Sequence, residues 1–205
     1  MKYLVRTPWW LKLLYPQCIW EMPAEGNKLY LSFDDGPHEE ATPFVLDLLK
    51  QFNAKASFFC IGNNVAKYPA IYQRILEEGH GVGNHTYHHK NGWKTGNEAY
   101  YADISMASEI IHSRIFRPPY GKIRFSQISH LKQQMHLQPV MWSVLSGDFD
   151  LELSADDCAR NVIRNMRPGS IIVFHDSAKA FEKIKYALPK VLEEIKKRGW
   201  VTEKL

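Results

Sequence analysis

The chain has 205 residues, of which 45% are hydrophobic and 23% are charged, with 12 glycines and 11 prolines. This length suits one domain with an enclosed core, and the composition excludes collagen-like, coiled-coil and intrinsically disordered proteins. The net charge is only +4, and the Lys and Arg residues form no dense block, which disfavours nucleic-acid binding.

The first twenty residues are rich in tryptophan and leucine, but charged residues and prolines interrupt them. The interrupting residues are Arg6, Pro8, Lys12 and Pro16. We therefore predict neither a cleavable signal peptide nor a membrane span, which favours a cytoplasmic location. A strap on the domain edge is the favoured role of this segment. Contact with a membrane surface or another subunit is the less favoured one, and a monomer is expected.

Three cysteines, Cys18, Cys60 and Cys158, lie far apart and form no C-x-x-C pair. An odd number at such spacing predicts neither a disulfide framework nor a thiolate zinc site. We expect buried, reduced thiols.

Short apolar runs alternate with helical patterns along the chain. The predicted strands are residues 28–33, 56–61, 81–83, 115–117, 138–144, 170–174 and 200–202. The helical patterns that separate most of them are residues 43–52, 69–78, 97–111, 154–166 and 180–197. Thr42 is the predicted N-cap of the first helix, and Ser154 begins the fourth with a pattern close to a capping box.

This alternation predicts an α/β fold with a parallel sheet, because each parallel pair of strands needs a crossover connection. About seven such units suit either a barrel or a doubly wound sheet. In both folds, ligand sites gather where the carboxyl ends of the strands meet.

Polar and titratable residues lie at or beyond the ends of most of the predicted strands. They are Asp34 and Asp35, Asn84 and His85 to His89, Arg117, Asp148 and Asp150, and His175 and Asp176. Two adjacent carboxylates leaving a buried strand repel each other unless a cation or strong donors compensate them. Asp34 and Asp35 therefore indicate a metal, with an ordinary polar turn before Gly36 and Pro37 as the alternative.

A second group of candidate ligands lies at 85–89, where His85, His88 and His89 have i, i+3 and i+4 spacing. His85 and His89 can converge on one cation from a single helical turn, although solvated or capping histidines remain the alternative. Two imidazoles and one of the two aspartates would form a facial triad with open positions for water and substrate.

Four motifs in order resemble those of the polysaccharide deacetylases, carbohydrate esterase family four, with its nodulation-protein-B-type homology domain. They are Leu31-Ser32-Phe33-Asp34-Asp35-Gly36-Pro37, His85-Thr86-Tyr87-His88-His89, Arg117-Pro118-Pro119-Tyr120-Gly121 and Ile172-Val173-Phe174-His175-Asp176. The resemblance spans roughly residues 28–176. It implies a single-domain distorted (β/α) barrel of about seven parallel strands over 28–205, with 1–27 as an N-terminal extension packed on it. The implied activity is metal-dependent removal of acetyl groups from N-acetylglucosamine-containing oligo- or polysaccharides.

The resemblance also implies a role for each motif residue around the metal. Asp34 is the general base, and Asp35, His85 and His89 are the metal ligands, whereas His88 lies outside the ligand positions. The expected cofactor is one divalent ion, with Zn²⁺ favoured over Co²⁺, Ni²⁺ and Mn²⁺.

The remaining implied roles belong to residues of the later motifs. Arg117 supports the active-site carboxylates, the backbone N–H of Tyr120 faces the developing oxyanion, and His175 is the general acid. Asp148 is expected to orient or tune that acid.

The fourth motif of the family departs from its usual D-x-x-D-W pattern, because Leu145 and Phe149 replace the first Asp and the Trp. This departure puts the role of Asp148 and sugar contacts there in doubt. Trp93 and Trp142 are candidates for sugar stacking, although most aromatic residues in such a fold are core residues.

Three other functions remain open for the same site. An O-acetyl esterase acting on acetylated xylan and a hydrolase of small C–N bonds would use the same chemistry. A catalytically silent carbohydrate-binding relative is the third. The family's polymer substrates usually lie outside the cytoplasm, which conflicts with the lack of a recognisable signal peptide.

Overall fold

A computed structural model describes residues 3–24 and 26–205 of the chain. Its strands are β1 (Lys28–Asp34), β2 (Ala56–Cys60), β3 (Gly81–Asn84), β4 (Ile115–Phe116), β5 (Gln138–Pro139), β6 (Val144–Leu145), β7 (Ile171–His175) and β8 (Val201–Thr202). The sheet has the order β5-β4-β3-β2-β1-β7-β6, with β8 beside the start of β1. Every strand pair is parallel, as predicted.

The central strands are buried on both faces, because helices pack on the outer face and side chains such as that of Arg117 fill the inside of the curled sheet. All of β2 is buried, and in β1 only Lys28 is exposed. Phe33 of β1 stacks between Phe58 of β2 and Phe174 of β7, with ring centroids 5.1 and 6.0 Å away. Near-continuous apolar runs are typical of parallel strands in this position.

The predicted strand at 138–144 is wrong as a single element, because it divides into β5 and β6. β5 pairs with β4 at one edge of the sheet, and β6 pairs with β7 at the other. Residues 140–143 thus cross from one edge to the other and close the curled sheet into a barrel. N-terminal residues fill this seam, with Arg6 bridged to Val144 and Ile19 bridged to Val140.

The helices are α1 (Trp9–Leu14), α2 (Ala41–Gln51), α3 (Gly62–Lys67), α4 (Pro69–Glu77), α5 (Asn97–Ser108), α6 (Phe125–Gln133), α7 (Ala155–Asn165) and α8 (Phe181–Lys197). The five predicted helices are confirmed as α2, α4, α5, α7 and α8. The sequence reasoning missed α1 and α3, which have six residues each, and α6, whose polar sequence has a weak apolar stripe.

The predicted caps had different outcomes. Ser154 is the N-cap of α7, and its hydroxyl accepts the Asp157 N–H at 3.0 Å, as expected. The prediction for Thr42 is wrong, because α2 begins at Ala41 and the Thr42 hydroxyl donates to Asp176 at 2.5 Å.

The three cysteines are buried and unpaired, as predicted. Among the described residues, no helix combines the length and apolar character that a membrane crossing requires. The division of the chain at 27/28 stays a prediction, and N-terminal residues such as Cys18 and Trp20 share one buried cluster with residues of α5 and α6.

Candidate active site

The carboxyl ends of the strands bring the polar motif residues together. Asp34 at the end of β1 lies beside His175 at the end of β7 in the strand register. On the other side of β1, the ends of β2, β3 and β4 lead to the His85–His89 segment and Arg117. The parallel register therefore assembles one site from four separate stretches of sequence.

One aspartate and two histidines converge at the centre of this edge. Ligand atoms of Asp35, His85 and His89 all lie within 4.8 Å of one another. The Asp35 Oδ1 is 3.1 Å from His89 Nε2 and 3.5 Å from His85 Nε2. The histidines converge from an irregular turn, which corrects the expected helical turn: Thr86 and His89 have φ of 63° and 56°.

The chemistry of these donors fits a cation. The carbonyl oxygen of Arg117 lies 2.7 Å from His85 Nδ1, so this nitrogen must donate. In a neutral imidazole, the other nitrogen then directs a lone pair at the Asp35 carboxylate, and a cation between the two acceptors resolves their repulsion. Burial disfavours the charged form of Asp35, but when the two imidazoles are protonated their contacts outweigh burial and hold the Asp35 pKa well below its usual range.

A buried carboxylate that the sequence reasoning missed fixes the histidine turn. Asp103 of α5 accepts the backbone N–H groups of Tyr87 and His88, both at 2.9 Å. Its other oxygen lies 2.6 Å from His88 Nδ1 and 3.3 Å from Lys90 Nζ. His88 thus helps to hold the turn. The signal in the sequence was a charged residue on the core face of a predicted helix, between Tyr100 and Ile104.

A second buried carboxylate, Asp176, fixes the aspartate loop. It accepts the Gly36 N–H at 3.1 Å and the Thr42 hydroxyl, and its own N–H donates to the Asp34 carbonyl at 3.0 Å. A Cβ on Gly36 would lie 2.1 Å from Asp176 Oδ2, so the loop tolerates only glycine there. Burial, opposed by the Thr42 hydrogen bond and reinforced by the Asp35 charge, raises the Asp176 pKa to about 8. The position of Asp176 in its motif made it a candidate site residue in the sequence, but only the structure shows its contacts.

Arg117 is fully buried and forms an ion pair with Asp34. Its Nη1 donates to Asp34 Oδ1 and to Ser32 Oγ, both at 2.7 Å. Its other nitrogens donate to the carbonyls of Val140 and Met141 at 3.2 and 2.9 Å. Four of the five guanidinium N–H groups thus have an acceptor, which orients the Asp34 carboxylate and stabilises the buried pair.

His175, at the end of β7, is paired with the buried Asp148. Asp148 Oδ1 lies 2.8 Å from His175 Nδ1, and Oδ2 accepts the His175 backbone N–H at 2.7 Å. Burial alone would lower the His175 pKa, but Asp148 outweighs it, with smaller help from Asp35 and Asp34, and raises the pKa to about 10. Phe149 lies edge-on to the imidazole at 5.2 Å.

Of three aromatic residues in and around the third motif, Tyr120 lies at the site. Tyr120 has φ of 61°, its side chain is 62% exposed, and its ring lies 4.6 Å from that of His89. Trp93 is half-exposed, which differs from the core position favoured for it, and its indole N–H donates to the Ile123 carbonyl at 2.9 Å. Trp142 is half-buried and packs against Gly121.

Comparison with known proteins agrees with this geometry. A peptidoglycan-N-acetylglucosamine deacetylase of Bacillus cereus is 39% identical over 184 residues, covering 86% of this chain and 66% of that protein. A chitooligosaccharide deacetylase of Azorhizobium caulinodans is 36% identical over 157 residues, covering 73% of this chain and 74% of that protein. The chain thus spans just under two thirds of the Bacillus cereus protein.

The fold is also similar to that of a deacetylase of known structure. The crystal structure of the Bc1960 peptidoglycan N-acetylglucosamine deacetylase in complex with 4-naphthalen-1-yl-N-oxidanyl-benzamide superposes with a TM-score of 0.88 and 35% identity, covering 97% of this chain and 95% of that one. This likeness confirms the expected distorted barrel. The family model for polysaccharide deacetylase matches residues 21–138, more than half of the chain. This chain therefore belongs to the polysaccharide deacetylase family.

Proposed function

We propose that this protein hydrolyses the N-acetyl amide of N-acetylglucosamine residues in an oligo- or polysaccharide and releases acetate. The observation that carries the proposal is the Asp35, His85 and His89 group, with Asp34 and His175 beside it on neighbouring strands. Relatives named for deacetylation of peptidoglycan and chitooligosaccharides support the substrate class.

Asp35, His85 and His89 would hold one divalent ion, with Zn²⁺ favoured because two imidazoles and one carboxylate are typical of catalytic zinc. Such an ion, when bound, polarises an amide carbonyl and acidifies a water molecule. Three protein ligands leave coordination positions open for water and substrate. The hydrogen bonds of Asp103 and Asp176 hold two ligand loops in place, namely the histidine turn at 85–89 and the aspartate loop at 34–36.

Asp34 is the proposed general base. Arg117 engages Asp34 Oδ1, which leaves Oδ2 as the oxygen that accepts a proton from the attacking water. The buried guanidinium stabilises the ionised carboxylate before the reaction and keeps it aimed at the site.

His175 is the proposed general acid. An amine leaves an amide only when its nitrogen is protonated. With a pKa of about 10, the His175 imidazole carries a proton at neutral pH and can donate it to that nitrogen. Asp148 positions the imidazole so that Nε2 faces the site. The Tyr120 backbone N–H is the proposed donor to the developing oxyanion, and the exposed Tyr120 and Trp93 rings are proposed contacts for sugar.

The test measures acetate release from N-acetylglucosamine oligomers and from peptidoglycan, with metal content determined on the same preparations. Asp35→Ala is expected to lose both metal and activity, because one of three protein ligands is removed. Asp34→Asn and His175→Ala are expected to retain metal but lose about 10²- to 10⁴-fold in rate. His112→Ala, at an exposed histidine, is the control and is expected to match wild type.

Three outcomes would contradict the proposal. Full metal occupancy in Asp35→Ala would refute the ligand assignment. Release of acetate from acetylated xylan but not from the amide substrates would favour an esterase, and absence of release from any acetylated glycan despite bound metal would favour a silent relative.

A further inference from the structure

Exposed apolar side chains concentrate in a short N-terminal stretch of the chain. The exposed fractions are 57% for Leu4, 72% for Trp9, 47% for Trp10, 68% for Leu13 and 54% for Leu14. Large apolar residues scattered singly on a surface need no explanation, but a contiguous group of them marks an interaction surface.

The backbone beneath these side chains is fixed to the barrel. The Thr7 N–H donates to the Ser143 carbonyl at 3.0 Å, and the Thr7 hydroxyl donates to the Trp142 carbonyl at 2.7 Å. Lys12 pairs with Glu21 at 2.6 Å. The side chains therefore stay exposed on a segment that is already docked.

Acidic residues are scarce on the same face, where Glu21 is paired with Lys12 and Arg167. The chain has 22 Asp and Glu residues, but none lies in 1–20 or in 110–147. These two stretches contain eight Lys and Arg residues, of which Arg117 is buried against Asp34 and adds no charge to the surface. The stretches pack together, since Leu11 and Tyr15 contact the cluster that holds Ile128 and Leu131 of α6. Phe125, itself 59% exposed, stacks on Tyr15 at 4.5 Å. An apolar patch is thus framed by positive charge, including the exposed Arg6 and Lys132.

We propose that this N-terminal face, residues 3–20 together with α6, binds the surface of a membrane that contains anionic lipids. Tryptophan beside leucine is typical of side chains that enter the headgroup region, and Lys and Arg residues nearby are attracted to anionic lipid. A second copy of the chain fits the face poorly, because a surface with an excess of positive charge repels itself. This role goes beyond hydrolysis at the active site.

The face also adjoins the active-site rim. Trp142, whose carbonyl accepts the Thr7 hydroxyl, packs against Gly121 next to Tyr120. Membrane binding through this face therefore holds the Tyr120 side of the site close to the lipid surface.

The test is sedimentation of the full chain with vesicles of equimolar phosphatidylcholine and phosphatidylglycerol, or of phosphatidylcholine alone. Binding is expected only to the anionic vesicles and is expected to weaken with salt. The double variant Trp9→Ala/Leu13→Ala is expected to bind about tenfold more weakly or worse. Arg6→Glu and Lys132→Glu are expected to weaken binding by about fivefold or more each.

Leu151→Ala/Val201→Ala is the matched control, because it removes exposed apolar side chains elsewhere and should leave binding unchanged. Acetate release from a soluble oligomer is expected to be the same in Trp9→Ala/Leu13→Ala as in wild type, which reports an intact fold and separates this inference from the proposed function. No binding to anionic vesicles, or equal binding by all variants, would overturn it. A solution dimer that becomes a monomer in Trp9→Ala/Leu13→Ala would assign the face to a second copy and overturn it as well.

Discussion

Replacement of Asp148 by asparagine tests how the proposed general acid is kept protonated. Asp148 is fully buried and contacts both the side chain and the backbone N–H of His175. Asparagine preserves the shape but removes the negative charge that raises the His175 pKa. We expect this pKa to fall, because burial disfavours the imidazolium and the main opposing charge is gone.

The structure allows the size of the effect to be worked out. A hydrogen bond to a charged group contributes about 1.5–3 kcal/mol, and about 1.4 kcal/mol corresponds to one pH unit. The His175 pKa of about 10 is therefore expected to fall by about 1 to 2 pH units, to roughly 8 to 9. Because the acid form is lost as the pH rises through the pKa, the rate of the variant relative to wild type should be about two- to tenfold lower near pH 9 than near pH 6.5.

The assay is acetate release from a soluble N-acetylglucosamine oligomer across this pH range, at equal metal occupancy. Asp156→Asn is the control, since it removes a half-exposed carboxylate on α7 and should leave the profile unchanged. A rate that falls by the same factor at every pH would show that Asp148 supports only the fold, and the reasoning about His175 would be refuted.

Three further predictions concern the residues that hold the ligand loops. Asp103→Asn is expected to weaken metal affinity by about ten- to hundredfold, because it weakens the contacts that fix the histidine turn. Competition with a zinc chelator measures this affinity. The surface variant Asp47→Asn should have no effect, and equal affinity in the two variants would contradict the role of Asp103. Gly36→Ala is expected to lower the free energy of unfolding by about 1–3 kcal/mol in urea titrations, because its Cβ would clash with Asp176. Gly96 has open space around it, so Gly96→Ala should change the free energy of unfolding by less than about 0.5 kcal/mol. In chelated wild-type protein, Asp176 has a pKa of about 8 in the folded state, against 3.8 for an unperturbed aspartate, so folding loses stability as the pH rises from about 4 to about 8. Asp176→Asn lacks this loss, so its urea midpoint relative to wild type should rise over that range, and a constant difference would show that Asp176 is ionised in the folded protein.

Local patterns in the sequence predicted most of the barrel because they report burial directly. Continuous apolar runs at β1, β2 and β7 reflect strands covered on both faces. The strands align in parallel, so residues that follow them in the sequence had to meet at one edge. The prediction of a single strand at 138–144 was wrong, because the residues stay apolar while the chain changes its pairing partner from β4 to β7. The spacing of apolar residues along the sequence does not show which strand they pair with.

The sequence by itself determined the α/β class, the edge at which the site lies and the residue types that gather there. Residue spacing left open which aspartate joins the two histidines, and only the family resemblance implied Asp35. The tertiary structure supplies the physical reason: Arg117 engages Asp34, while Asp35, at φ of 78°, turns toward His85 and His89. It also decided that Asp103 and Asp176 fasten the two ligand loops, and that apolar side chains of the N-terminal segment remain exposed. The physical reason is that these features depend on contacts between residues far apart in the chain, and local spacing does not encode such distances.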